Sequence, residues 1–327
     1  MHVPRQFILG MVCGVILAIG VFVSLLYTQL GVPTNSSSWA NDIIGKKKVL
    51  AEAISGPRFL VFGGSGTTFG ISAQRIHELT GVPSVNMGIH AGLGIDQVLY
   101  LARKVARPGD TILLVPEYEL YLTPTNWEMH DDYILARDPD YFNQMSLLDK
   151  IYMATRIPFK RIQKGIAARR KAEAPPRPHP PYTNGASFIN AYGDETGNPA
   201  SGRLPNATEM AIKTSVLVDG LSSERGSGFD QIRDFLQWAK AHQIKVLATF
   251  PNIMHRTEYD GPNAEVAIKT ITDFFADAGI PVVGSAREAM LPPDQFFDTY
   301  YHLTREAAAT RTERLVPELK PYLVPGR

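Results

Sequence analysis

Residues 7–27 form an unbroken apolar run without a charged side chain. About 20 such residues cross a bilayer as a helix, so the pattern predicts a single transmembrane anchor within residues 1–32. A cleaved signal peptide is the other reading. The run is long for one, and the nearest small-residue site, Ser38-Trp39-Ala40, lies well past it. Residues 33–56 read as tether and lead-in, because 33–40 is polar and serine-rich. Beyond them, short apolar runs alternate with helical spacing. Strands are predicted at 59–62, 84–87, 111–115, 245–250 and 281–283. Helices are predicted at 71–79, 95–106, 230–241, 265–278 and 304–316, the last capped by Thr304. Near-continuously apolar strands separated by helices indicate an α/β domain over 57–327, with a parallel sheet covered on both faces.

Residues 118–225 break the alternation and read as an insertion of helix and loop. Its start is aromatic and acidic. The stretch 151–171 has helical spacing apart from Pro158 and carries Arg156, Lys160, Arg161, Lys164, Arg169, Arg170 and Lys171 with no acid. Anionic headgroups, an anionic polymer, a partner or plain solvent all suit such a face. Residues 174–203, rich in Pro, Gly and Asn, read as a long loop.

Composition narrows the function classes. The chain has 327 residues, 44% hydrophobic and 20% charged, with net charge +1, which gives no reason to expect nucleic acid. Cys13, inside the apolar run, is the only cysteine, so the body holds neither a disulfide nor a thiolate metal site. No histidine pair has metal-ligand spacing, and Gly92-Leu93-Gly94 is too sparse for a dinucleotide fingerprint. No metal or cofactor is therefore expected. Arg5 and the amino terminus favour a cytoplasmic N-terminus, while Lys46, Lys47 and Lys48 argue the other way. The favoured arrangement places the body outside.

The chemistry starts at Val61-Phe62-Gly63-Gly64-Ser65-Gly66, where the first strand runs into a helix. Gly64 and Gly66 let the chain turn sharply and leave the Ser65 hydroxyl uncovered. The helix directs free amides and its positive dipole end at whatever the serine holds. A nucleophile, a phosphate-binding turn and a simple cap all fit. In parallel α/β sheets function gathers at the carboxyl ends of strands, which here brings Ser65, Gly88, Glu117, Asn252 and 294–302 to one edge. Asp298 and His302, just before the last helix, complete a triad with Ser65: the histidine takes the serine proton and the aspartate fixes the ring. The amides of Ser65 and Gly88 are the expected oxyanion donors. His90 reads as a substrate contact or a capping residue.

Serine in a Gly-Gly-Ser context after the first strand, Gly88 after the second, and Asp298/His302 before the last helix resemble blocks one, two and five of the SGNH/GDSL hydrolase superfamily. The resemblance covers about 57–117 and 244–320. It implies a three-layer flavodoxin-like fold and a Ser-His-Asp centre of an esterase, lipase or acyltransferase. With the apolar N-terminal run and the block Phe296-Phe297-Asp298-Thr299-Tyr300-Tyr301-His302-Leu303-Thr304, the chain is most similar to anchored periplasmic members. These include the alginate O-acetylation proteins and the D-alanyl transfer protein of teichoic acid, which act beside membrane-bound O-acyltransferases. The resemblance implies a single-pass protein of the bacterial inner membrane with its body periplasmic or extracellular. Its activity would be that of a serine esterase or O-acyltransferase, with acetyl as the acyl unit and a polysaccharide as substrate. The alternative is an inactive relative that binds polysaccharide, an acyltransferase or an export partner.

Two departures stand out. Asp298-x-x-x-His302 is one residue longer than the family's Asp-x-x-His. The third block's oxyanion-hole asparagine is replaced by Glu117, in Val115-Pro116-Glu117-Tyr118-Glu119, and an ionised glutamate donates no hydrogen bond. Glu117 is then protonated, or another group (Asn252 or the backbone of Gly92) takes the donor's place, or the centre is weak. In the second case Glu117 positions substrate, supports the site from behind, or merely ends a strand.

Overall fold

Uninterrupted runs of strand formers build a four-stranded parallel sheet from β1 (Phe59–Gly63), β2 (Ser84–Asn86), β3 (Thr111–Val115) and β4 (Lys245–Ala248), in the order β2-β1-β3-β4. The computed structural model describes residues 5–122, 127–170, 185–204, 217, 221 and 226–323. Contacts divide the chain into two units, 1–38 with 127–177 and 39–126 with 178–327; the sheet belongs to the second. Strands β1 and β3 pair from Phe59↔Thr111 to Gly63↔Val115, which brings the residues after Gly63 and after Val115 to one level.

Helices follow the strands much as their periodicity predicts. They are α3 (Ser65–Gly70), α4 (Ala73–Thr80), α5 (Gly94–Val105), α10 (Ser227–Ala241), α11 (Pro262–Asp277) and α12 (Arg305–Leu323). Ser72 caps α4, and Thr304 Oγ1 accepts from the Ala307 amide at the start of α12. Ile71, Ile76, Leu315, Val316 and Leu319 bury one core against Phe59, Val61, Leu113, Val115 and Leu247 of the sheet. Helix α5 packs on β1 and α10, and α10 packs on β4. Two further short strands, β5 (Ile253–Met254) and β6 (Met290–Leu291), pair in parallel beyond β4.

Three expectations change. The predicted fifth strand at 281–283 shrinks to one bridge, Ala248↔Val282, because Pro281 has no amide to donate and Gly284 turns the chain away at φ +75°. The predicted tether is instead a helix, α2 (Asn35–Glu52), whose residues from Trp39 onward belong to the second unit. Lys47 in that helix is fully buried, and Lys46 Nζ donates to the carbonyls of Ala186 and Ile189. Two of the three lysines weighed for membrane orientation are therefore held by the protein. Of the expected loop over 174–203, residues 174–184 lie outside the described residues. The remainder folds on itself through an antiparallel bridge, Ile189↔Glu195.

The other unit contains α1 (Arg5–Tyr27), a helix long and apolar enough to span a membrane. Around it are α6 (Trp127–Arg137), α7 (Pro139–Gln144), α8 (Leu147–Arg156) and α9 (Phe159–Arg170). Pro158 separates the last two helices, as its missing amide requires. Leu26 of α1 joins Ile134, Leu135, Phe142, Met153, Ile157 and Ile162 in one core. Arg156 pairs with Asp131 at 3.0 Å and Arg161 pairs with Asp132, so two cations of the basic stretch are neutralised by carboxylates of α6. Those acids lie too far back in sequence for a reading of 151–171 to reveal them. Lys171 lies outside the described residues.

Candidate active site

Ser65 is the first residue of α3, directly after the turn that closes β1. Its side chain makes no hydrogen bond with a described residue, so none of them holds the hydroxyl away from a substrate. The turn is held from the end of β3. Glu117 Oε2 accepts the Gly64 amide at 2.9 Å and Oε1 accepts the Gly66 amide at 2.6 Å. The glycines serve this approach rather than a special backbone angle: a Cβ on Gly64 would lie 2.4 Å from Glu117 Oε1. Burial raises the Glu117 carboxyl to about 7, against the pull of those amides toward ionisation. The expected helix dipole is weaker than foreseen, since α3 has only six residues and a carboxylate already takes amides on either side of Ser65. The Ser65 amide, at the first helical position, has no acceptor within its helix.

Asp298 and His302 form the pair the sequence indicates. His302 Nδ1 lies 2.7 Å from Asp298 Oδ1, and the extra residue between them is absorbed by a turn in which Thr299 Oγ1 accepts the His302 amide at 3.2 Å. The imidazole stacks flat on Phe69, with centroids 4.1 Å apart and planes 10° apart. Phe69 lies one helical turn after Ser65, on the same face of α3, so the stack brings His302 to the serine's side of the helix. His302 and Ser65 share no hydrogen bond here. Such bonds are often long before substrate binds.

The end of β3 braces this half too. Glu119 accepts from the Tyr301 hydroxyl at 2.7 Å and the Tyr300 hydroxyl at 3.1 Å. Asn252 Nδ2 donates to the Tyr301 carbonyl, and its Oδ1 is buried against Gly70 without a partner among the described residues. One strand end thus holds the serine turn through Glu117 and the histidine loop through Glu119. Glu119 went unnoticed in the sequence because its partners are 181 and 182 residues away.

Several expected oxyanion donors are otherwise engaged. The Gly88 amide donates to Asn86 Oδ1 at 2.9 Å; Gly88 instead permits close approach to α3, since a Cβ there would lie 2.7 Å from the Thr68 amide. The Gly92 amide donates to His90 Nδ1 at 2.9 Å, and the amide of Asn252 is spent on Tyr301. His90 is therefore both a cap and a cavity residue. Burial, with the His302 charge second, lowers it to about 4, so it is neutral with its proton on Nε2.

Ser65, Thr68, His90 and Glu195 line a cavity of about 20 Å³, otherwise walled by apolar side chains that include Trp39, Ile43, Ile44, Phe69 and Ile89. That volume holds roughly one water-sized group. Glu195 Oε1 accepts the amides of Thr196 and Gly197, while its buried Oε2 has no partner among the described residues. Lys47 donates to the Gly88 carbonyl at 2.7 Å and is lowered to about 7 by burial, opposed by the charges of Asp194 and Glu195. Sequence reasoning missed Trp39, Lys47 and Glu195, since each lies in a stretch read as tether, membrane-orienting charge or loop.

No family model matches the chain, and no curated protein matches it. Among solved structures the chain is similar to that of the protein YxiM from Bacillus subtilis. The two share 12% identity at a TM-score of 0.39, over 84% of this chain and 59% of that one.

Proposed function

We propose that the protein is an SGNH-type serine esterase or O-acyltransferase with a three-layer flavodoxin-like body, anchored by α1 in a bacterial inner membrane. On this reading it handles acetyl esters of a periplasmic or extracellular polysaccharide, beside a membrane-bound O-acyltransferase. The observation that carries it is the Asp298–His302 pair stacked on Phe69, one turn from an unbonded Ser65. Ser65 Oγ attacks the acyl carbon while His302 Nε2 takes its proton. Asp298 holds the ring with its free lone pair on Nε2 and stabilises the imidazolium. The Ser65 amide and His90 Nε2–H supply the donors for the oxyanion, in place of the asparagine that Glu117 replaces. His302 returns its proton to the departing alcohol, leaving acyl-Ser65. Water or a sugar hydroxyl, deprotonated by His302, then takes the acyl group.

The small apolar cavity favours a two-carbon acyl chain. The expected kcat/KM on chromogenic esters is at least about 10-fold higher for acetyl than for butyryl, in keeping with two methylenes that a pocket of this size excludes. Turnover of both esters is expected to vanish in Ser65→Ala. Equal turnover of the two would remove the size argument, and unchanged turnover in Ser65→Ala would remove the reading. A non-catalytic component that binds polysaccharide or an acyltransferase is the second reading. It is favoured by Glu117, which occupies amides of the nucleophile turn. No turnover of any ester, with binding to an anionic glycan, would select it.

A further inference from the structure

We propose that α8 and α9 lie in the interfacial layer of the bilayer that α1 crosses, with their apolar side chains at the boundary of headgroups and acyl chains. The proposal rests on reading α1 as a spanning helix. Leu147 and Leu148 are 72% and 77% exposed, and Ile151, Tyr152 and Phe159 are each more than half exposed. On α8 these residues recur at i, i+1, i+4 and i+5, one continuous stripe, while Met153 on the opposite side is buried in the core. A stripe of large apolar side chains, rather than scattered single ones, marks a surface meant to be covered.

The membrane is the occupant the structure favours. The stripe belongs to helices built onto the end of α1: Leu26 shares a core with Phe142, Met153, Ile157 and Ile162, Phe22 and Leu25 pack against that core, and Arg169 donates to the Thr28 carbonyl. Length gives a second argument. Residues 5–21 are exposed throughout, which is about 25 Å of helix at 1.5 Å per residue. The hydrocarbon core is about 30 Å thick, so the turn from Phe22 onward, with the helices packed on it, starts within the last ~5 Å of hydrocarbon. Interfacial amphipathic helices bury their apolar faces about 5–10 Å into this region. Charge agrees with the placement. Lys160 and Lys164 are exposed on α9, and Asp149, the only acid of the two helices, is tied to the Ser146 hydroxyl at the start of α8. Arg156 and Arg161, already paired with Asp131 and Asp132, are left out of this contact.

The test uses the full chain in vesicles of phosphatidylethanolamine and phosphatidylglycerol. Cys13, the only native cysteine, carries a polarity-sensitive fluorophore in one sample. In a Cys13→Ser background the fluorophore is placed at Leu148→Cys, at Phe159→Cys, or at Lys320→Cys, an exposed control in the other unit. Labels at 148 and 159 are expected to emit at shorter wavelength than the label at 320. They should also be quenched several-fold more by a shallow lipid-borne nitroxide and be protected from aqueous iodide. Lys160→Glu with Lys164→Glu is expected to reduce that quenching in anionic vesicles. Labels at 148 and 159 as open to iodide as the one at 320 would overturn the proposal. So would protection from both quenchers, which would mean that a second copy or another protein covers the stripe. A Cys13 label untouched by a deep nitroxide would show instead that α1 does not span, and the proposal would fall with it.

Discussion

Replacing His302 by alanine is expected to lower kcat/KM for an acetyl ester by about 10⁴-fold or more, with little change in stability. The ring has one polar partner, Asp298, at 2.7 Å and one apolar face, on Phe69. On the proposed mechanism its removal leaves Ser65 without a base, and a serine hydroxyl is a weak nucleophile at its ordinary pKa. On the same mechanism the serine and histidine act as one unit, so Ser65→Ala with His302→Ala is expected to be no worse than either change alone. Multiplicative losses would show that the two residues do not work together. Asp298→Asn keeps the contact but favours the wrong tautomer, and is expected to cost on the order of 10³–10⁴-fold. Steady-state kinetics of the four variants, with thermal unfolding as a check on folding, decides the point.

Glu117 is expected to set opposite pH trends in activity and stability. Its carboxylate accepts two amides, one on each oxygen, and protonation weakens one of these bonds. Turnover should therefore rise as pH increases through about 7, where burial has placed this group. Stability runs the other way. The folded value lies above the usual 4.5, so the native state binds more protons than the unfolded chain between about 4.5 and 7. The stabilisation is complete below the unfolded value and is lost as pH rises through the folded one, at most on the order of 3 kcal/mol. Glu117→Gln has one acceptor oxygen for two amides. It is expected to lower kcat/KM about 10–100-fold, the scale of a lost supporting contact, and to flatten unfolding free energy between pH 5 and about 7. A variant with wild-type kinetics and a wild-type stability profile would reduce Glu117 to an ordinary strand-end carboxylate.

The parts of this site that were legible in sequence are those fixed by local pattern. The strand at 59–62 and the glycines after it locate Ser65 at a strand end, and the residues before α12 locate Asp298 and His302, whose separation a single turn can bridge. What stayed hidden depends on tertiary approach. Whether Gly88 and Gly92 offer free amides is decided by Asn86 Oδ1 and His90 Nδ1, and no spacing rule says which acceptor reaches an amide first. Glu117 could be recognised as a departure from the third block, but its role became apparent only when β1 and β3 aligned Gly63 with Val115. The polar segment at 33–40 reads as a tether because local composition does not show that Trp39, within it, joins Ile43 and Ile44 in lining the cavity beside Ser65. Lys47 sits in a charge run that composition assigns to the surface, yet its ammonium is buried on the Gly88 carbonyl.

The most direct test of the central claim is labelling of the full-length protein with a fluorophosphonate, followed by mass-spectrometric location of the adduct. One adduct on Ser65 is expected, absent in Ser65→Ala and formed far more slowly in His302→Ala. A protein that stays unlabelled at Ser65, or labels equally well without it, would contradict the account.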